Sequence, residues 1–378
     1  MTSPVVARTK QRDDLSQTAR PFSARDIAVD RDQPPIYGAL DLGTNNCRLL
    51  VARPSRRGFV VLDSFSRIIR LGEGLGASGA LSEAAMARTI QALRICASKM
   101  RRNSVSRARL VATQACRMAS NGAEFVERVQ RQTGLELEVL SQENEARLAV
   151  AGCATLLDRD CDMALVFDIG GGSSELVWLD LSGRGDGPSI GTRGALSEAR
   201  MVAWTSLPVG VVTLAERFDG RAVTPQSFEA MVADVLVALE PFERQYGMRE
   251  RIRDSRVHFL GTSGTVTTVA GIRLQLPRYD RRQVDGCWLA TEDAREVTAR
   301  LLAQSYEQRC AEPCIGRERA DLVLAGCAIL EALLRLWPTE RLRVADRGLR
   351  EGILSTLMAE DGFPRSSRRR SRRRGRSA

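Results

Sequence analysis

Val166-Phe167-Asp168-Ile169-Gly170-Gly171-Gly172-Ser173-Ser174-Glu175 decides the reading of this chain. An apolar run from Ala164 ends on a carboxylate, glycines and hydroxyls follow, and Glu175 opens a second apolar run, Leu176-Val177-Trp178-Leu179. That order reads as strand, turn, strand. Glycines reach positive φ without steric cost, so successive backbone N–H groups at Gly170, Gly171 and Gly172 can form a concave nest for an anion, and phosphate is the natural guest. Ser173 and Ser174 add hydroxyls. Carboxylates on both sides would repel a bare phosphate, so Asp168 and Glu175 argue for a divalent cation, Mg²⁺, sharing its oxygens. The competing reading is a glycine-rich hairpin with incidental acids.

The same pattern occurs earlier. Ile36 to Leu40 reads as a strand delivering Asp41, followed by Leu42-Gly43-Thr44-Asn45-Asn46 and a return strand Cys47 to Val51. A duplication that sets one such turn in each of two domains would let both face one ligand across a cleft. Between and beyond the turns, strands (Phe59 to Ile69, Ala108 to Thr113, Leu135 to Leu140, Val257 to Leu260, Leu342 to Ala345) alternate with helices (Leu81 to Met100, Ala123 to Gln132, Glu143 to Leu157, Phe228 to Phe242, Arg319 to Leu336, Leu349 to Met358), which signals an α/β fold.

Composition sets the bounds. The 378 residues, 43% hydrophobic and 27% charged, suffice for a sizeable core and two domains. The longest apolar stretch, Leu322 to Leu334, is interrupted by Glu331 and falls short of the ~20 residues that span a bilayer. With no secretory signal pattern either, no membrane association and a cytoplasmic location are expected. Residues 365–378 hold eight arginines and no acid, so removing them from the net charge of +10 leaves +2. Such a block is expected to be disordered, either simply solvated or holding a polyanion. Residues 1–35, polar and ending in Pro34-Pro35, read as a second disordered arm. The nine scattered cysteines read as reduced buried thiols, and Cys310 and Cys314 with no nearby histidine are weak evidence for zinc. The single histidine, His258, reads as a packed strand residue, which leaves acid–base work to carboxylates.

Two local features stay open at this point. Glu143 sits four residues before Arg147, the favourable order for a surface ion pair, whereas Glu145 has Ala149 and Gly152 as helical neighbours and points toward protein or a cleft. A first-turn carboxylate interacting with the helix dipole explains Glu145 equally well. Gly261-Thr262-Ser263-Gly264-Thr265 opens a helix, either as an anion-binding N-terminus or with a plain side-chain cap.

With these turns placed, the chain resembles the exopolyphosphatase and guanosine pentaphosphate phosphohydrolase family over about residues 36–360. The carriers are ALDLGTNNCRLLVA, LVATQACRMASNG, ENEARLA, LVFDIGGGSSELV, LPVGVVTLAERF, FLGTSGTVT and DRGLREGIL, in order. The resemblance implies two ribonuclease-H-like domains of the actin and sugar-kinase kind around a cleft, 36–155 and 156–362, the last helix packing back on the first, with a tail over 363–378. It implies that Glu145 positions or deprotonates the attacking water and that Glu175 helps with water or metal. Asp41 and Asp168 match the cleft aspartates and, with Glu175, are the candidate Mg²⁺ ligands; K⁺ is a second candidate ion. Gly43, Thr44, Asn45, Arg48 and the 170–174 turn are candidate phosphate contacts, and Arg117 resembles a further family arginine. The family often has two adjacent glutamates before Ala-Arg, and the first is Asn144 here. The implied activity is release of the terminal phosphate of inorganic polyphosphate, with guanosine pentaphosphate as the alternative substrate and a homodimer as the family's usual state. An actin-like nucleotide switch with an adenine pocket near Gly261 to Thr265 is the rival of another class.

Overall fold

The computed structural model describes residues 34–56, 58–183 and 199–363. The expected N-terminal arm and arginine tail lie outside them, except for residues 34, 35 and 363, as does most of the 182–194 connector.

The first sheet begins with a meander, β1 (Tyr37–Leu42), β2 (Asn46–Ser55) and β3 (Gly58–Ile68), antiparallel in sequence. The helix Glu83–Arg102 then returns the chain so that β4 (Arg107–Ala112) runs parallel to β1. Ser82 caps that helix by accepting the Ala85 N–H, Met86, Ile90, Leu93, Ala97 and Met100 bury one face, and Arg101 and Arg102 meet the negative end of its dipole. β5 (Glu138–Val139) completes the order β3-β2-β1-β4-β5. The longer strand expected over 135–140 is cut short because only Glu138 and Val139 find partners on β4.

The second sheet repeats the scheme. β6 (Met163–Ile169), β7 (Ser174–Asp180) and β8 (Arg200–Leu207) form the meander, and β9 (Val257–Thr262) lies parallel to β6. β10 (Trp288–Ala290) is an antiparallel edge strand on β11 (Arg341–Ala345), which is parallel to β9. The order β8-β7-β6-β9-β11 thus copies the first sheet, with β10 added outside. The helix Val323–Leu336 is buried along nearly its whole length, and Trp178 packs edge-on against Phe259 and Trp337 beneath this sheet. β10 and the helix Thr291–Leu302 were not expected from the sequence, because the helix's inward face is thin, built on Ala294, Val297 and Leu301. His258 is buried in β9, as read. Among the described residues no helix is long and apolar enough to cross a membrane.

The two sheets are tied by helices that cross closely. The helix Gln142–Cys153 shortens the expected 143–157 span, giving way to a 3-10 turn at Ala154–Leu156. The helix Leu349–Glu360 follows β11 in the chain yet packs on the first sheet, with Leu349, Ile353 and Leu354 joining Tyr37, Ala39 and Leu50 in one buried cluster. Glycines permit the crossing of the two helices. A Cβ on Gly152 would lie 1.9 Å from Gly348 O, and one on Gly352 1.9 Å from Leu148 O.

Candidate active site

The duplicated turns are equivalent in detail. Gly43 N–H donates to Asn46 O and Gly170 N–H donates to Ser173 O, each at 2.9 Å. Asp41 pairs across its hairpin with Arg48, and Asp168 across its own with Glu175. The two halves therefore present the same aspartate but opposite charges on the return strand. The turns also touch: a Cβ on Gly171 would meet Asn45 N and Thr44 Cβ at 3.1 Å, and one on Gly172 would fall 2.7 Å from Thr44 Oγ1. Among the described residues no hydrogen bond uses the amides of Gly171, Gly172 or Ser173, which leaves them to face a ligand. The carbonyls of Gly170 and Gly171 instead accept from Val211 and Val212 at the start of the helix Val211–Phe218.

A cavity of about 140 Å³ sits where the turns meet. Asp41, Gly43, Thr44, Asn45 and Arg48 line it from the first sheet; Asp168, Gly170, Gly171, Gly172, Ser173 and Glu175 line it from the second; Glu145 enters from the helix Gln142–Cys153. Ser174 is not among these, because its hydroxyl donates to Val209 O at 2.7 Å. Arg117 stands behind the lining. Its Nη1 donates to Glu145 Oε2 (3.1 Å) and Leu140 O (2.7 Å), and its Nη2 to Gln114 Oε1 (2.8 Å).

Four carboxylates converge on this space, Glu175 buried and Asp41, Glu145 and Asp168 partly buried. Burial, then the Glu175 charge, pushes Asp168 up to about 7. Burial and Glu175 hold Glu145 well above the usual carboxylate range, against the pull of Arg117. Asp41 is raised by burial, with Arg48 and Arg350 opposing. Glu175 is raised by burial too, although Ser173 Oγ (2.7 Å) and Ser206 Oγ (2.8 Å) both donate to its Oε1. Positive charge introduced among these groups removes both their repulsion and much of their desolvation cost.

Several features of the lining escaped the sequence reading. Ser263 has φ 103, and its buried Oγ has no hydrogen-bond partner. A non-glycine residue there carries strain of roughly 1–3 kcal/mol. The helix Gly264–Arg273 behind it has no side-chain cap bond, so the plain-cap alternative is not realised; Thr262 Oγ1 donates to Arg347 O instead. Asn45 and Asn46 Oδ1 are also buried without partners. Beyond Asp41 and Asp168 the cavity opens into a groove of about 800 Å³, lined by Arg48, Arg67, Arg281, Arg317, Arg319, Arg347 and Arg350. Only Arg48 was singled out from sequence, since the others are scattered over a strand, helices and loops far apart in the chain.

Paired sheets of one topology, meeting at twin hairpins over a shared acidic cavity, define the class: an α/β fold of the actin-like kind with a cleft between its halves. The Ppx/GppA phosphatase family model matches residues 50–361, and the chain belongs to that family. It is similar to the Aquifex aeolicus family member, with a TM-score of 0.69 and 27% identity over 88% of this chain and 100% of that one. An exopolyphosphatase-like protein of known structure aligns at 28% identity and a TM-score of 0.73, over 85% of this chain and 97% of its own. An exopolyphosphatase from Cytophaga hutchinsonii shares the fold, with a TM-score of 0.73 at 23% identity over 88% and 100% of the two chains.

Proposed function

We propose that this phosphatase is an exopolyphosphatase, hydrolysing the terminal phosphate of inorganic polyphosphate with water activated by Glu145. The observation that carries this reading is the placement of Glu145, from a helix of the first half, in the same cavity as Asp168, Glu175 and the Gly170–Ser173 turn of the second half.

The residues present suit Mg²⁺. Asp41, Asp168 and Glu175 supply hard anionic oxygens, and the orphaned Asn45 and Asn46 Oδ1 atoms are further oxygen acceptors that would serve Mg²⁺-bound water or a K⁺ ion. When bound, Mg²⁺ supplies charge neutralisation at the phosphoryl oxygens. The chain's own residues do the rest. The Gly171, Gly172 and Ser173 amides and Arg48 orient the terminal phosphoryl group, and Arg117 fixes the Glu145 carboxylate by holding Oε2. The other Glu145 oxygen accepts a proton from water as the water oxygen bonds to phosphorus. The bond to the bridging oxygen breaks, and the shortened chain leaves as an anion that needs no proton. Positioning and charge supply most of such a barrier reduction.

Arg48, Arg67, Arg317 and Arg319 of the groove favour polyphosphate over guanosine pentaphosphate, since guanidinium forks match successive phosphates along a chain, whereas Arg281 and Arg347 are engaged by Glu351 and Asp285. The test is phosphate release from polyphosphate and from guanosine pentaphosphate under identical Mg²⁺. A higher kcat/KM on polyphosphate supports the reading, and the reverse order replaces it with the pentaphosphate reaction.

A further inference from the structure

A second cluster of chemically capable side chains lies at the opposite end of β6 from the cleft. Asp158 and Cys161 belong to the connection leading into β6, and His258 is the second residue of β9, whose register pairs it with Ala164. One ligand atom from each of Asp158, Cys161 and His258 lies within 4.8 Å of the other two. The separation from Asp168, four residues along β6, is roughly 13 Å at strand rise. This is therefore not part of the phosphate site.

His258 supplies the independent sign of a missing ligand. It is only 2% exposed, and its Nε2 is buried with no hydrogen-bond partner. The ring meets Trp288 edge-on at 5.4 Å, with Arg341 and Arg343 on that indole, so an aromatic wall occupies one side. Burial, together with Arg343 and Arg341 and against Asp158, lowers the imidazole to about 4 and keeps it neutral, the form that ligates. A groove lined by all three residues gives access from solvent.

We infer that Asp158, Cys161 and His258 form a binding site for Zn²⁺ that leaves one coordination position to water. Thiolate with imidazole selects a borderline-soft ion over Mg²⁺, and three protein ligands with an open position is a common zinc arrangement. Carboxylate and thiolate together match the charge of the ion, so the filled site is neutral and adds no repulsion beside Arg341 and Arg343. Arg256 is engaged by Asp162 at 3.3 Å. Binding breaks the Cys161 S–H bond, forms a sulfur–zinc bond and releases one proton to solvent. The bound ion joins the connection ahead of β6 to β9.

The test uses the full chain without a polyhistidine tag. Titration with Co²⁺ as a spectroscopic probe is expected to give, at one equivalent, thiolate-to-cobalt charge transfer and intense tetrahedral d–d bands, displaced by Zn²⁺. Cys161→Ser should abolish the charge-transfer band and weaken Zn²⁺ binding by about tenfold or more, Asp158→Asn and His258→Gln should weaken it similarly, and Glu175→Gln should leave the band intact. Should His258→Gln fail to fold, Cys161→Ser and Asp158→Asn, both at partly exposed positions, still decide. Absence of the band in the parent protein, or its persistence in Cys161→Ser, overturns the assignment.

Discussion

Glu145 is held on one side by a guanidinium and surrounded on the other by carboxylates, so its charge is governed by what else enters the cavity. Glu145→Gln keeps the side-chain volume and an oxygen for Arg117 but removes the proton acceptor. It is expected to lower kcat by a factor on the order of 10² to 10⁴ with little change in KM. Phosphate-release kinetics showing an unaltered kcat would remove this residue from the mechanism. In the sequence, Glu143 and Glu145 were separable because Arg147 claims the former, a pairing the structure contains at 3.0 Å, and because small residues neighbour the latter. The catalytic role proposed for Glu145 comes from family resemblance rather than from helix spacing. Ser263 was harder still: its strained φ and orphaned hydroxyl arise from surroundings contributed by distant segments, and nothing within Gly261 to Thr265 announces them.

Among elements, the hairpins were legible and the helix crossing was not. Asp41 and Asp168 each end an apolar strand before glycine, a local signal that fixes both turn and register. The contact between the helices Gln142–Cys153 and Leu349–Glu360 depends on glycines about two hundred residues apart, each unremarkable alone. Gly352→Ala drives a methyl group into Leu148 O, and the expected cost is about 1–3 kcal/mol of stability. Because the displaced helix carries Glu145, kcat should fall as well; an unshifted melting temperature would refute the close crossing. At the head of the second helix, burial raises Glu351, but Arg350 and Arg281 together with the Gly348 N–H (2.9 Å) outweigh it and hold the carboxyl below its usual range. A depressed carboxylate binds its proton less readily when folded than when unfolded. Its stabilisation is thus complete above the ordinary glutamate range near ~4.3 and disappears as pH falls through the folded value. Melting curves from pH 7 to 3 should show Glu351→Gln destabilised by about 1–3 kcal/mol at neutrality, the gap to the parent closing in acid.

The whole molecule is two copies of one topology pressed together at their turns. Arg70 Nη1 and Nη2 reach Asp321 at 2.8 and 3.0 Å, and Gly74 N–H donates to Glu216 Oε1 at 2.9 Å, so the approach is also fastened beside the cavity. Arg70→Ala should cost about 1 kcal/mol of closure, about fivefold in the ratio of open to closed forms. A raised KM and a larger radius of gyration by solution scattering are the expected readouts; an unchanged value of both would assign the closed arrangement to the turns alone. The composition foresaw a sizeable core, and the repeated turn foresaw the matching sheets. The arginine groove was illegible because its members come from separate strands, helices and loops and meet only after folding. The roof over Tyr37 and Ala39 has a temporal side as well. β1 is among the earliest described segments to leave the ribosome and the helix that covers it the last of the described elements, so one apolar face waits in water until the helix Leu349–Glu360 has been made. Translation that stalls midway therefore delivers a sticky half-sheet to chaperones or proteases rather than a working half-enzyme.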